Sequence, residues 1–352
     1  MFGAGLTSRN MHLVGDEGLR NAAKMLITTA LRVAPNERFV AVGDLESAPL
    51  LTTLEAAARE AGAEVAALRL DQLRSYSTNH TGERPHKVLP DAVRRAMLSA
   101  QASAFIASAP HGEGSMRDQL LHIVGACSIR HAHMPGISKV AFAAGLAVDY
   151  ERVRQLGKTL ETRLDGAHVL TAESNDGTHL TVRLGPHRWV KTLGRVRPGQ
   201  AVAFPAGSLI TCPETVNGTF VADASVGEFF GAREGLLRDP VTFEIENGHV
   251  TNVRAPNNPF LVKDIEAMLR VAPNSDRVGL AILGVNVGIG SPTGEVSVDR
   301  HRPGLHLVFG DPQAKSTGAE WSARTSFAAC QTASAVSVDG DLVIEDGTLR
   351  LV

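Results

Sequence analysis

The chain has 352 residues, of which 43% are hydrophobic and 20% are charged, and its formal net charge at pH 7 is −2. This length predicts two domains, and this composition is typical of a folded globular protein. The low net charge, without any run of more than two Lys or Arg residues, argues against a nucleic acid or a membrane as the partner, because such binding depends on neutralising phosphates.

Apolar segments and cysteines indicate where in the cell the protein is located. No apolar stretch follows a basic start, so we expect no signal peptide, and no window of about 18 apolar residues predicts a membrane-spanning helix. Three cysteines, Cys127, Cys212 and Cys330, lie far apart in the sequence. Their odd number favours buried free thiols in a reducing compartment over disulfides. We therefore predict a cytoplasmic protein.

The first part of the chain alternates strands with helices. Apolar runs predict strands at residues 38–43, 64–70 and 104–108, and Ala/Leu-rich stretches predict helices at 48–63, 91–102 and 116–126. Strands separated by helices of this length form parallel crossovers, so we predict a small α/β domain over residues 1–145. No G-x-G-x-x-G motif follows the first strand, which argues against a dinucleotide site.

Three histidines near the end of this domain are candidate functional residues. His131 and His133 precede the turn Pro135-Gly136 and could bind a metal ion as a pair; alternatively, they belong to that turn and contact a ligand. His111 follows the third predicted strand, where open α/β sheets bind ligands, although a plain surface loop is the simpler interpretation.

Residues 146–352 are predicted to form a larger, β-rich domain. Strands at 167–171 and 179–184 flank the turn sequence Asn-Asp-Gly, and strands at 241–245 and 250–253 flank a second turn. Such pairs indicate antiparallel hairpins. One helix, at 260–271, interrupts the strands.

The segment 282–310 has the layout of a buried metal site: an apolar strand, a glycine loop, and a second strand that contains His306, the last histidine of the chain. Together with the preceding segments 176–181 and 205–213, and in this order, it resembles the thermophilic metallo-aminopeptidase (aminopeptidase T) family. That family also includes iron-dependent dihydroxypyridine ring-cleaving dioxygenases. The resemblance covers residues 140–352. It implies a small parallel-sheet N-terminal domain, a larger β-rich α+β C-terminal domain of metallo-aminopeptidase type, and a homodimer.

The resemblance also indicates which residues would occupy the family's metal-ligand positions. Members use a Glu in a P-x-G-E segment, a Glu in an E-x-G-I-G segment, a Glu-Lys pair, a strand His and a terminal His-x-Asp, with a Tyr nearby. The matching positions here are Ser208, Asn286, Asp299-Arg300, His306 and the neighbourhood of Thr325. No tyrosine follows Tyr150. One Asp and one His are fewer than the three protein ligands usual at a catalytic zinc, and they offset too little charge for two divalent cations.

We therefore expect a metal-free, non-catalytic protein without a cofactor. Its ligand would be a peptide or small molecule held in the former active-site cleft, because a groove of polar donors and strand edges suits an extended peptide. It could present that peptide to a partner enzyme of a peptide-tailoring pathway. The predicted ligand-binding residues are Ser208, Asn286, Asp299, His306, Thr325, His131 and His133.

The alternative hypothesis is an active metal-dependent hydrolase or ring-cleaving dioxygenase with a rebuilt site. It would use His306 and Asp299 together with His131, His133 or His111. A third interpretation concerns His306 alone: a histidine within an apolar strand can be a core residue that is hydrogen-bonded inside its own sheet.

Overall fold

The computed structural model of the protein describes residues 15–73, 88–108 and 114–351. The chain divides into two compact units. The smaller unit includes Leu6–Glu151 and Gly194–Pro205, and the larger unit includes Arg152–Leu193 and Ala206–Val352. The domains predicted from the sequence, 1–145 and 146–352, have one boundary between them, whereas the segment 194–205 returns to the smaller unit.

A five-stranded parallel sheet forms the centre of the smaller unit. Its strands, in the order β2-β1-β3-β4-β8 across the sheet, are all paired in parallel. The predicted parallel sheet is thus confirmed. The bounds are β1 Arg38–Gly43, β2 Glu64–Arg69, β3 Ala102–Phe105, β4 Arg130–His133 and β8 Ala201–Ala203.

Helices pack around this sheet. The first helix, α1 (Asp16–Met25), buries Leu19, Ala22 and Ala23 and continues into a π-helical turn at Leu26–Ala30. It packs against α2 (Ala48–Glu60) and α6 (Lys139–Leu146). The predicted helix over 91–102 ends earlier, at Met97, because Ala102 already belongs to β3 and pairs with Phe39 of β1. The bounds are α1 Asp16–Met25, α2 Ala48–Glu60, α3 Leu70–Leu73, α4 Asp91–Met97, α5 Gly114–Ala126 and α6 Lys139–Leu146. The next helix, α7 (Tyr150–Leu164), leads into the larger unit.

The larger unit contains an eight-stranded antiparallel sheet with the order β13-β12-β10-β6-β5-β17-β18-β19. Both predicted hairpins are present, since β5 pairs with β6 and β12 pairs with β13 in antiparallel fashion. The bounds are β5 Val169–Glu173, β6 His179–Leu184, β10 Pro213–Ala222, β12 Val241–Glu246, β13 His249–Arg254, β17 Ala335–Val338, β18 Asp341–Glu345 and β19 Thr348–Leu349.

A second antiparallel sheet, with the order β11-β16-β15-β14-β9-β7, completes the larger unit. Its strands are β7 Val190–Thr192, β9 Ser208–Thr211, β11 Ser225–Val226, β14 Val278–Gly284, β15 Gly304–Gly310 and β16 Ser326–Cys330. The helices of this unit are α8 Glu228–Glu234, α9 Pro259–Leu269, α10 Val296–Asp299 and α11 Ala314–Thr317. None of the helices in the described part of the chain is long and apolar enough to cross a membrane.

Aromatic side chains join the two antiparallel sheets. Phe243 of β12 lies 4.8 Å from Phe309 of β15, centroid to centroid, and Phe309 lies 5.1 Å from Phe327 of β16. On the other face of the six-stranded sheet, Ile282 and Val308 are buried in a second apolar cluster. Both faces of β14 and β15 are therefore covered, which explains why these strands are continuous apolar runs. His306 pairs with Ile282, and side chains alternate along a strand, so His306 lies on the face of this second cluster.

Candidate functional site

Strand register brings three of the positions matched to the family's metal ligands, Ser208, Asn286 and His306, to one end of the six-stranded sheet. Gly284, the last residue of β14, pairs with Ser208 of β9 on one side and with Gly304 of β15 on the other. The turn before β15 folds directly over Gly284: a Cβ added there would lie 1.7 Å from the carbonyl oxygen of Arg302. Asn286, just after β14, and His301, just before β15, consequently lie beside Ser208. We call Ser208, Asn286, His301 and His306 the closed cluster.

Asn286 is completely buried and its side chain is used to hold the backbone. Its Nδ2 donates to the carbonyl of Ala206 over 2.7 Å, and its Oδ1 accepts from the backbone N–H of Gly288 over 3.1 Å. Its own backbone N–H donates to the carbonyl of His301 over 2.8 Å. The asparagine thus fastens the glycine loop to two neighbouring segments, a role that a neutral amide performs without a cation.

Ser208 and His301 form a buried pair, with 2% and 4% of their surfaces exposed. The Ser208 hydroxyl lies 3.1 Å from His301 Nδ1 and 3.1 Å from the hydroxyl of Thr192. Burial lowers the pKa of His301 well below its usual value, and Arg300 and His306 act in the same direction. Its Nε2 is buried, and no residue in the described ranges offers it a hydrogen bond. Sequence reasoning missed His301, because a histidine between two arginines is typical of an exposed turn.

Both ring nitrogens of His306 are engaged by the backbone. Nε2 lies 3.0 Å from the carbonyl oxygen of Arg302 and must donate its hydrogen to it. Nδ1 accepts from the backbone N–H of Gln331 over 3.3 Å and must therefore be unprotonated. These two bonds fix the neutral Nε2–H tautomer, and burial lowers the pKa of His306 to about 4. The ring has no lone pair left for a metal ion.

Asp299 is also satisfied internally, although it is completely buried. Its Oδ1 accepts from the backbone N–H and the hydroxyl of Thr293, over 2.7 and 2.9 Å, and its Oδ2 accepts from the backbone N–H of Gly294 over 3.0 Å. Burial raises the pKa of Asp299, while the hydrogen bonds from Thr293 and Gly294 oppose this shift. The carboxylate of Asp299 thus holds the loop at Thr293 and Gly294 against α10.

Thr325 lies apart from the closed cluster. It precedes β16 beside Gly310, and its hydroxyl donates to Ser275 over 2.7 Å. Gly310 ends β15, whereas the closed cluster lies where β15 begins. The seven residues of this strand span about 20 Å at 3.3 Å per residue, so the fold does not bring Thr325 to Ser208.

His131 and His133 belong to the smaller unit. They lie in strand β4, because residues 130–133 pair with β3 and β8. The predicted turn follows this strand and does not include the two histidines. His131 Nδ1 lies 2.8 Å from the Ser103 hydroxyl, and its Nε2 lies 3.2 Å from His133 Nδ1. His133 stacks on Phe105, and burial lowers its pKa to about 4. His111 lies outside the described residues.

The residues at the family's metal positions do not fit a metal ion. Ser208, Asn286 and Thr325 carry neutral oxygens. Both ring nitrogens of His306 are occupied by backbone groups, and both carboxylate oxygens of Asp299 already accept hydrogen bonds from Thr293 and Gly294. Within residues 15–73, 88–108 and 114–351, no group of three or more His, Cys, Asp or Glu side chains is arranged to hold an ion.

The comparisons with known proteins identify the fold. Residues 146–266 match the model of the family described as 2,5-dihydroxypyridine 5,6-dioxygenase. The structure of 2,5-dihydroxypyridine dioxygenase from Pseudomonas putida KT2440 is similar, with a TM-score of 0.64 and 17% identity, over 98% of each chain. The structure of wild-type AmpT from Thermus thermophilus is similar, with a TM-score of 0.62 and 15% identity, over 95% of this chain and 99% of that one. The comparison with curated proteins returned no match.

The chain therefore has the fold of these two structures, and the predicted combination of a parallel-sheet domain with a larger β-rich domain is confirmed. The family model supports the resemblance over residues 146–266, and the two structures support it at the level of the fold.

Proposed function

We propose that this protein is a metal-free, non-catalytic member of this fold and that it binds a peptide without cleaving it. The observation that carries the proposal is the pair of backbone hydrogen bonds that occupies both ring nitrogens of His306. A histidine ligates a metal through an unprotonated nitrogen, and His306 has already committed that nitrogen to Gln331.

The neighbouring positions support the same proposal. Two divalent cations need several anionic ligands, and Ser208 and Asn286 contribute neutral oxygens that already serve the protein's own hydrogen bonds. Breaking a hydrogen bond in a buried site leaves a polar group unsatisfied, at a cost of about 1–3 kcal/mol each. Loading a metal here would therefore have to undo several such bonds.

The Ser208–His301 pair does not support a nucleophilic mechanism. A catalytic serine needs a base that is held by a third group, and it must be reached by the substrate. His301 Nε2 has no orienting carboxylate in the described part of the chain, and Ser208 is only 2% exposed while it also contacts Thr192. These observations favour a structural role for the pair.

A peptide is the ligand class that the resemblance to aminopeptidase T implies. Extended peptides are held through main-chain pairing and side-chain pockets, neither of which needs a metal. The ligand-binding roles predicted for Ser208, Asn286, Asp299, His306 and Thr325 stay predictions, and the burial of the first four favours placing the peptide elsewhere on the larger unit.

The test is calorimetry against a panel of short peptides, combined with mass spectrometry of each peptide after incubation with the protein. We expect saturable binding of at least one peptide and recovery of that peptide intact. Cleavage that persists in a preparation freed of contaminating peptidases, or the absence of binding across the panel, would overturn the proposal.

Three further points belong to the proposal. The resemblance supports a homodimer. A peptide that is bound without being cleaved supports delivery to a partner enzyme of a peptide-tailoring pathway. The free thiols of Cys127, Cys212 and Cys330 support a reducing compartment such as the cytoplasm.

A further inference from the structure

The two tryptophans of the chain lie in the walls of two adjoining cavities of the larger unit. Trp189 lines a cavity of about 1020 Å³, and Trp321 lines one of about 640 Å³. The two cavities share Pro186, His187, Arg188 and Glu214, so they are adjoining parts of one surface. We call it the tryptophan groove. None of the closed cluster lies in its walls.

The wall shared by the two cavities is fixed by hydrogen bonds. His187 Nδ1 donates to the carbonyl of Cys212 over 2.9 Å, and the backbone N–H of Arg188 donates to the carbonyl of Thr317 over 2.8 Å. The hydroxyl of Thr211 donates to the carbonyl of Arg188 over 3.2 Å. A wall held in this way loses little conformational entropy when a ligand binds.

Trp321 positions a guanidinium at the narrower end of the groove. The guanidinium carbon of Arg277 lies 4.1 Å from the centre of the Trp321 ring, which is a cation–π contact. Burial raises the pKa of the Cys212 thiol, and the positive charge of Arg277 and a contact with Trp321 partly lower it. The indole N–H of Trp321 is buried, and no described residue accepts a hydrogen bond from it in good geometry.

The charges of the narrower end are unbalanced. Arg188 and Arg277 both line this cavity, and neither has a salt bridge to a carboxylate within the ranges that the structure describes. This cavity has two acidic wall residues, and one of them, Glu214, is paired with Arg183 over 3.5 Å. The negative charge of Glu320 therefore remains to balance the positive charges of two arginines. This end of the groove therefore favours an anionic group.

We propose that the tryptophan groove binds the C-terminal carboxylate of a peptide. The carboxylate lies between Arg188 and Arg277, the last side chain packs against Trp321, and the preceding residues run past Trp189 through the wider cavity. Guanidinium groups recognise carboxylates through paired hydrogen bonds, and Trp and Arg are the residues that contribute most to binding energy in protein interfaces. The inference rests on the proposed peptide-binding function and specifies its site and direction.

The tryptophans provide a direct reporter, because the chain has two of them and both line the groove. The probes are short tryptophan-free peptides, each made as a free acid and as a C-terminal amide. We expect the free acids to change the intrinsic tryptophan fluorescence in a saturable way. The matched amides should bind about tenfold more weakly or worse, since they cannot form a charged pair with the arginines.

Arginine variants locate the contact. Arg277→Gln and Arg188→Gln should each weaken binding of the free acid about tenfold, which corresponds to about 1.4 kcal/mol. Arg254→Gln is the matched control, because Arg254 lies on β13, pairs with Glu244 and is outside the groove. It should bind the free acid like the wild type. Circular dichroism confirms that each variant is folded.

The outcomes separate this inference from the proposed function. The groove assignment is overturned if calorimetry detects peptide binding while the fluorescence stays constant. It is also overturned if the amides bind as well as the free acids and the arginine variants bind as well as the wild type. In both cases the proposed peptide binding stands. If calorimetry detects no binding of either peptide form, the proposed function fails, and the groove assignment fails with it.

Discussion

The closed cluster and the tryptophan groove lie in the same unit, but the polar groups of the cluster, apart from His301 Nε2, are paired within the protein, whereas two arginines of the groove are not paired with a carboxylate among the described residues. In the closed cluster, the side chains of Asn286 and His306 are buried, and each of their nitrogen and oxygen atoms forms a hydrogen bond with a backbone group. In the groove, Arg188 and Arg277 border a cavity and have no carboxylate partner among the described residues. Satisfied polar groups build a fold, and unsatisfied ones beside a cavity can bind a ligand.

The largest effect is expected where the closed cluster has no room. Gly284→Ala places a Cβ 1.7 Å from the carbonyl oxygen of Arg302, a backbone atom that cannot rotate away. We expect a loss of more than about 4 kcal/mol in the free energy of unfolding, measured by urea denaturation. Gly290→Ala is the matched control, because a Cβ there meets no described atom within 4 Å. Equal stability of the two variants would contradict the tight closure.

Removing the ring of His306 should have the next largest effect. His306→Ala leaves the N–H of Gln331 and the carbonyl of Arg302 buried without their partner. Unsatisfied groups of this kind cost about 1–3 kcal/mol each, so we expect a loss of about 3 kcal/mol in chemical denaturation. His179→Ala, at a position with 82% of the side chain exposed, should be close to neutral. A His306→Ala protein as stable as the wild type would contradict a structural role for the ring.

The pH dependence of stability tests the tautomer of His306. Its pKa is lowered to about 4 by burial, from an ordinary value of 6.5, so between these two values the unfolded chain binds more protons than the folded one. The free energy of unfolding should therefore fall, as the pH falls through this window, by about 1.4 kcal/mol per pH unit for this group. His306→Gln should make the measured slope shallower by that amount. An unchanged slope would show that the folded protein protonates His306 normally.

The smallest effect is expected in the groove. Trp321→Phe keeps an aromatic ring beside Arg277 but weakens the cation–π contact, so we expect a loss of at most about 1 kcal/mol in the free energy of unfolding. A loss as large as that of Gly284→Ala would show that Trp321 is a core residue, and it would contradict the difference between the groove and the closed cluster.

Much of the fold could be predicted from the sequence because its signals are local. The strands at 38–43, 179–184 and 304–310 were placed at their observed bounds by apolar runs and alternation. The sequence of β4, Arg-His-Ala-His, does not predict a buried strand, because it is polar and its burial arises from pairing with β3 and β8. The three-residue strand β8 is too short to give a periodic signal.

The candidate sites were harder to predict, because their partners are distant or are backbone groups. The order of the motifs identifies Ser208, Asn286 and His306 as candidates. It does not predict that main-chain atoms of Arg302 and Gln331 bind the ring of His306. Trp189 and Trp321 are widely separated in the chain, and only the folded sheets bring their cavities together. His301 lacks any pattern that would mark it.

The metal content of the protein distinguishes a metal-free site from a rebuilt metal site. The purified protein is incubated with zinc, manganese, cobalt or iron(II), passed through a desalting column and measured by inductively coupled plasma mass spectrometry, and its thermal unfolding is recorded with and without a chelator. We expect far less than one ion per chain and an unfolding transition that the chelator does not shift. One or more ions per chain, lost together with stability on chelation, would contradict a metal-free site.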